Sequence, residues 1–121
     1  MTATINGKAW SGTGYGSTKD QLNNLQFGGV AGTDRIIMGV SPSITRTGTY
    51  PFANYPFAGD SVEVTYISPD GMSYDEDLSG FLTLTSWNST NIQGTFYFSN
   101  RSNFKGDTAI ITNGKFNINL Q

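Results

Sequence analysis

Asn-Gly occurs twice in this chain, as Asn6-Gly7 and Asn113-Gly114, each time between short runs of alternating apolar and polar residues. The dipeptide suits a two-residue type I′ turn, because both central positions of that turn need φ > 0. Thr2-Ala3-Thr4-Ile5 and Lys8-Ala9-Trp10 therefore predict a hairpin that pairs Ile5 with Lys8 and Ala3 with Trp10. Near the other end, Ala109-Ile110-Ile111-Thr112 and Lys115-Phe116-Asn117-Ile118 predict a second hairpin. Pairing Thr112 with Lys115 would set Ile111 opposite Phe116 and Ala109 opposite Ile118, all on one face. Similar ends also suggest a duplication, but the middle of the chain has no matching period, so two separate hairpins explain them better.

The same period of two recurs between the ends. Leu25 and Phe27, then Ile36, Met38 and Val40, form the apolar faces of successive strands. Val62, Val64 and Tyr66 alternate with Glu63 and Thr65, and Leu82 and Leu84 with Thr83 and Thr85. Ile92, Gly94, Phe96 and Phe98 line one face and leave Gln93, Thr95 and Tyr97 on the other. Ser41-Pro42-Ser43 and Ser68-Pro69-Asp70-Gly71 supply turns. No segment carries an apolar stripe of period 3.6 over three turns, so helix is limited to a turn or two. The pattern predicts an all-β fold: one domain over residues 1–121, an antiparallel β-sandwich of about eight to ten short strands, with a small closed β-barrel as the alternative. Only 36% of the residues are hydrophobic, but 13% are aromatic, and a few such large side chains can supply most of a core.

Several chemistries are excluded at once. The chain has no histidine and no cysteine, which removes Ser-His and Cys-His catalysis, His-ligated metals and disulfides. A net charge of −2, with seven basic residues scattered along the chain, gives a nucleic-acid backbone nothing to follow. No apolar run approaches the ~20 residues of a membrane-spanning helix.

The densest acidic group is Asp70, Asp75, Glu76 and Asp77. Closely spaced carboxylates in a loop can hold Ca²⁺, but the spacing is not that of an EF-hand, and a solvated turn that blunts a sheet edge is the simpler reading. Otherwise no cofactor is expected. Glu63, Glu76, Asp60 and Asp77 are the carboxylates from which a glycoside hydrolase pair could be drawn. Ser102-Asn103-Phe104-Lys105 matches Ser-x-x-Lys, but in a loop rather than on the helix that motif needs. The glycines of Gly12-Thr13-Gly14-Tyr15-Gly16 precede no helix and read as strand or bulge. Two tripeptides starting at Asn88 and Asn100 fit the N-glycosylation pattern.

The most suggestive binding feature is Tyr50-Pro51-Phe52-Ala53-Asn54-Tyr55-Pro56-Phe57, in which Tyr-Pro-Phe occurs twice. Prolines stiffen the segment, so Tyr50, Phe52, Tyr55 and Phe57, with Asn54 as a hydrogen-bonding group, could present a platform to a sugar or a protein; alternatively the rings cap the core. Trp87, in the polar Ser86-Trp87-Asn88-Ser89, is the second exposed aromatic candidate.

The end motifs Ala3-Thr4-Ile5-Asn6-Gly7-Lys8-Ala9-Trp10 and Ile111-Thr112-Asn113-Gly114-Lys115-Phe116-Asn117-Ile118, with Thr47-Gly48-Thr49-Tyr50 and Ile92-Gln93-Gly94-Thr95-Phe96-Tyr97-Phe98, resemble a domain family of unknown function from small secreted lipoproteins of Bacteroidetes-type bacteria. The resemblance implies an all-β domain held outside the cytoplasm, facing the periplasm or at the cell surface. It also implies a precursor with a signal peptide and a lipidated cysteine upstream, so that a lipid anchor outside this chain is the membrane link. It brings no catalytic residues. Asp60-Ser61-Val62 and Asp107-Thr108-Ala109 resemble the short O-glycosylation signal of these bacteria. The expectation is a non-enzymatic extracytoplasmic binding or surface module for a glycan or surface protein. The rivals are a subunit self-assembling through the Asn117-to-Leu120 strand and a small carboxylate-based glycoside hydrolase.

Overall fold

The computed structural model describes residues 1–17, 25–53, 62–104 and 106–121, and there the alternating runs are strands. In chain order they are β1 (Thr2–Ile5), β2 (Lys8–Ser11), β3 (Thr13–Ser17), β4 (Leu25–Ala31), β5 (Asp34–Val40), β6 (Gly48–Pro51), β7 (Val62–Ile67), β8 (Ser73–Tyr74), β9 (Glu76–Trp87), β10 (Asn91–Arg101) and β11 (Thr108–Asn119). They form a six-stranded sheet, ordered β2-β1-β11-β10-β9-β6, and a five-stranded sheet, ordered β3-β4-β5-β7-β8. All strand pairs within them are antiparallel. The two sheets do not close on each other, so the sandwich holds and the barrel does not. No helix forms among the described residues.

The first Asn-Gly forms the expected hairpin. Ile5 pairs with Lys8 and Ala3 with Trp10, and Asn6 and Gly7 have φ of 49° and 82°. The second does not form a hairpin. Strand β11 runs straight through Asn113-Gly114 and pairs with β1 on one side and β10 on the other. Between Thr2↔Lys115 and Thr4↔Thr112, and again between Phe96↔Gly114 and Phe98↔Ile111, β11 carries one residue more than its neighbour. Asn113, at φ 53°, belongs to this bulge. The bulge does what the hairpin was expected to do: Ala109 and Ile111 before it, and Phe116 and Ile118 after it, all turn inward. The long β10 on one edge and the short β1 on the other give β11 two ladders, against which a local turn offers one. From Thr2 to Ile5, β1 therefore covers the edge that a self-assembling terminal strand would need, while Asn117–Asn119 pair only with β10 among the described strands.

The inward faces meet in a single apolar cluster. Its aromatic centre is a chain of contacts, Phe27 to Phe116 at 4.9 Å, Phe116 to Phe96 at 6.2 Å, Phe96 to Phe98 at 6.1 Å and Phe98 to Phe52 at 5.6 Å. Where β3 crosses β11 the sheets nearly touch. A Cβ on Gly14 would lie 2.9 Å from Ile118 Cγ1, and one on Gly16 2.8 Å from Leu120 Cδ2. At one corner the half-buried Trp10 stacks over this cluster and its Nε1–H donates to Asp34 Oδ2 at 2.8 Å, tying the two sheets together.

Candidate functional site

Strand alternation sends every second residue of the six-stranded sheet outward. On three adjacent strands the outward residues of one row are Pro51, Phe81 and Tyr97, paired Pro51↔Phe81 and Phe81↔Tyr97. Phe81 is 42% exposed and Tyr97 51% exposed, large values for aromatic rings on a sheet. Their centroids are 6.0 Å apart and the planes are tilted by 53°. Both rings stand where Gly94–Ser99 of β10 pairs with Ser79–Leu84 of β9 without interruption, which holds the cross-strand pair in register. Gly80, at φ 128°, sits directly beneath: a Cβ there would lie 2.2 Å from Tyr97 O, so only glycine lets β9 approach β10 at this row. Leu78 and Ile110, both exposed, extend the apolar patch.

The next row along the face is Thr49, Thr83, Thr95 and Lys115, and the rows beyond are amides: Gln93 with Asn117, then Asn91 with Asn119. Thr49 and Thr83 share a hydroxyl–hydroxyl hydrogen bond of 3.1 Å. At the opposite end of the face Arg101 and Glu76 form an ion pair at 3.4 Å. Between that pair and the amides, Lys115 is the one charged side chain on β9, β10 and β11. The arrangement offers apolar ring faces, hydroxyls and amides on one flat surface with almost no net charge.

Of the aromatics expected to form a platform, the two described ones on this segment lie elsewhere. Tyr50 and Phe52 are buried. The Tyr50 hydroxyl donates to Arg46 O at 2.7 Å, and Phe52 meets Phe98 edge-on. Both face inward because β6 alternates like its neighbour β9, and they cap the core. Asn54, Tyr55, Phe57 and Asp60 lie outside the described residues. Trp87 is half-buried and packs against the core, opposite the buried Ile92.

The four carboxylates considered for calcium do not converge. Glu76 and Asp77 belong to strand β9 rather than to a loop, so they point to opposite faces. Asp70 bonds to Ser68 Oγ, Asp75 accepts from Asn103 Nδ2 at 2.7 Å, and Glu76 pairs with Arg101. Among the described residues no three carboxylates gather closely enough to hold a metal. Asp70, Asp75, Met72, Asn103 and the 90%-exposed Phe104 instead line a cavity of about 470 Å³ at this end of the molecule.

Asp77 faces inward opposite Asn100, which is fully buried and donates to Val64 O at 2.8 Å and Tyr74 O at 3.0 Å. Burial drives the Asp77 carboxyl up to about 7, and Glu63 and Asp75 push the same way; hydrogen bonds from Asn100 and the Val64 backbone oppose them and lose. Its carboxyl oxygens are shut off from solvent, so Asp77 has no route to a glycosidic oxygen. Asn100 being buried, the sequon that starts there is closed in the folded chain, whereas Asn88 is exposed in the β9–β10 turn. Ser102 is likewise fully buried, and its Oγ accepts from the Phe104 backbone N–H at 3.2 Å.

Phe81 and Tyr97 were both within reach of the sequence. Alternation already puts Tyr97 on the face of Gln93 and Thr95, and the inward Leu82 and Leu84 oblige Phe81 to point outward. Neither lies in a conspicuous motif; the signal is an aromatic at the wrong parity.

Fold and face together define an all-β sandwich domain with an exposed aromatic and amide surface on its larger sheet. The chain belongs to the family described as a domain of unknown function (DUF6252), which matches it over residues 1–118. Comparison with curated proteins and with solved structures gives no match.

Proposed function

We propose that this domain is a non-catalytic, extracytoplasmic module that binds a neutral polysaccharide on the outer face of its six-stranded sheet. The observation that carries the reading is the exposed Phe81–Tyr97 pair, in register with Pro51, on a nearly uncharged face. Aromatic rings offer sugar C–H faces an apolar surface, and the adjoining threonines and amides match sugar hydroxyls in number and neutrality. A monomer leaves such large apolar side chains grouped on its surface mainly where something binds. The placement outside the cytoplasm rests on the resemblance of the end motifs to secreted lipoprotein domains.

Native affinity electrophoresis through gels containing starch, mannan, xylan or β-glucan tests the reading. At least one of these polymers retards the protein, and Phe81→Ala or Tyr97→Ala weakens that retardation about tenfold, the loss of one ring contact of ~1.4 kcal/mol. Unretarded migration in all four gels overturns the proposal, as does a Phe81→Ala/Tyr97→Ala double variant that binds like the parent.

A further inference from the structure

The amide end of the same face is more ordered than exposed side chains need to be. Gln93 Nε2 donates to Asn91 Oδ1 at 3.0 Å, which turns Asn91 Nδ2 toward β11. There it donates to Asn117 Oδ1 at 2.8 Å and to Asn119 Oδ1 at 3.1 Å. With both oxygens engaged, the NH₂ groups of Asn117 and Asn119 are held in place, and among the described residues neither has a protein acceptor. Two fixed donors two residues apart on one strand face stand roughly 7 Å from each other.

These amides border a groove of about 520 Å³ between the edge strand β3 and the C-terminal part of β11. Residues Gly14 to Ser17 of β3 form its other wall, while the Tyr15 hydroxyl lies over Gly28 on the β4 side of that strand. The Gln121 N–H donates to Gly16 O at 3.1 Å across the seam. No charged side chain lines the groove among the described residues. Along the strands it lies roughly 20 Å from the aromatic row, six residues of rise from Tyr97 to Asn91, with only the threonine row and Lys115 between.

From this geometry we infer that the β3–β11 groove is a second subsite for the same neutral polysaccharide, in which Asn117 and Asn119 donate to sugar oxygens. The inference rests on the glycan reading above. The groove's neutrality and its continuity with the aromatic face select that occupant. A bound chain lies along the strands and touches both ends of the sheet, so short oligosaccharides occupy one subsite and long ones both.

The test uses the disaccharides and hexasaccharides of starch, mannan, xylan and cellulose with ¹⁵N-labelled protein. A binding hexasaccharide shifts the side-chain amide signals of Asn117 and Asn119. Asn117→Ala and Asn119→Ala each weaken hexasaccharide binding about fivefold to tenfold, as expected for a lost hydrogen bond, while disaccharide binding is unchanged. If Phe81→Ala weakens hexasaccharide binding but neither groove variant does and the amide signals stay still, the second subsite is wrong and the glycan reading stands. Failure of the wild-type protein to bind any of these sugars overturns both.

Discussion

A buried carboxyl pushed up toward neutrality makes the stability of this fold depend on pH through Asp77. Its ordinary value is ~4 and in the fold it rises to about 7, chiefly through burial. Between those values the native state holds a proton that the unfolded chain has lost. The protonated form therefore supports the fold fully below pH ~4, and its contribution disappears as pH rises to about 7. The full shift corresponds to about 4 kcal/mol, which screening at this partly open end of the sandwich reduces to about 2 kcal/mol. Asp77→Asn keeps the shape without the charge and can still donate to Asn100. Urea denaturation of the two proteins from pH 4 to pH 8 should show the wild type losing about 2 kcal/mol relative to Asp77→Asn. Parallel pH profiles would refute the assignment. Nothing in the sequence marks Asp77 apart from Asp70, Asp75 and Glu76; the difference is made by its burial and by the approach of Glu63, which only folding brings about.

Among elements, β11 separates what sequence fixes from what it leaves open. Its inward residues change parity, from Ala109 and Ile111 to Phe116 and Ile118, so one residue between them must drop out of the alternation. A hairpin and a bulge satisfy that demand equally, and both use Asn at positive φ. The choice depends on β10, the preceding strand, and above all on β1, which arrives from the other end of the chain; the two flank β11. Local patterning therefore marks the buried faces and the β1–β2 pairing, while the neighbours of β11 were beyond it. The bulge makes a specific demand on side chains. Asn113→Gly should change stability by no more than about 0.5 kcal/mol, whereas Asn113→Val, β-branched at φ 53°, should cost about 1–2 kcal/mol in thermal or urea unfolding. Equal cost for the two would mean that Asn113 is not held in this conformation. Strand β9 has the harsher constraint: Gly80→Ala puts a methyl against Tyr97 O and should cost about 3 kcal/mol, with loss of the Phe81–Tyr97 register. The face and the fold therefore share this glycine.

For the molecule as a whole, charge decides between classes of ligand. The net charge is −2, yet the outer face of the larger sheet carries Lys115 alone between the Arg101–Glu76 pair and the amide rows. The acidic side chains gather instead near the β7–β8 turn, where burial, then Asp107 and Asp70, keep the Tyr74 hydroxyl protonated to higher pH than usual. An anionic polymer would meet one cation on the aromatic face, repulsion from the acidic end and little to hold it. A neutral polymer would be indifferent to both. Salt distinguishes these cases, because exposed charges more than ~10 Å apart are screened at 0.1 M ionic strength, whereas ring stacking and neutral hydrogen bonds are not weakened by screening. Retardation by starch, mannan, xylan or β-glucan should therefore change less than about twofold between ~0.05 and ~0.5 M NaCl, and Lys115→Ala should alter it no more than that. Loss of binding as salt rises, removed by Lys115→Ala, would instead identify a charged ligand steered by Lys115 and would assign the aromatic row a supporting role.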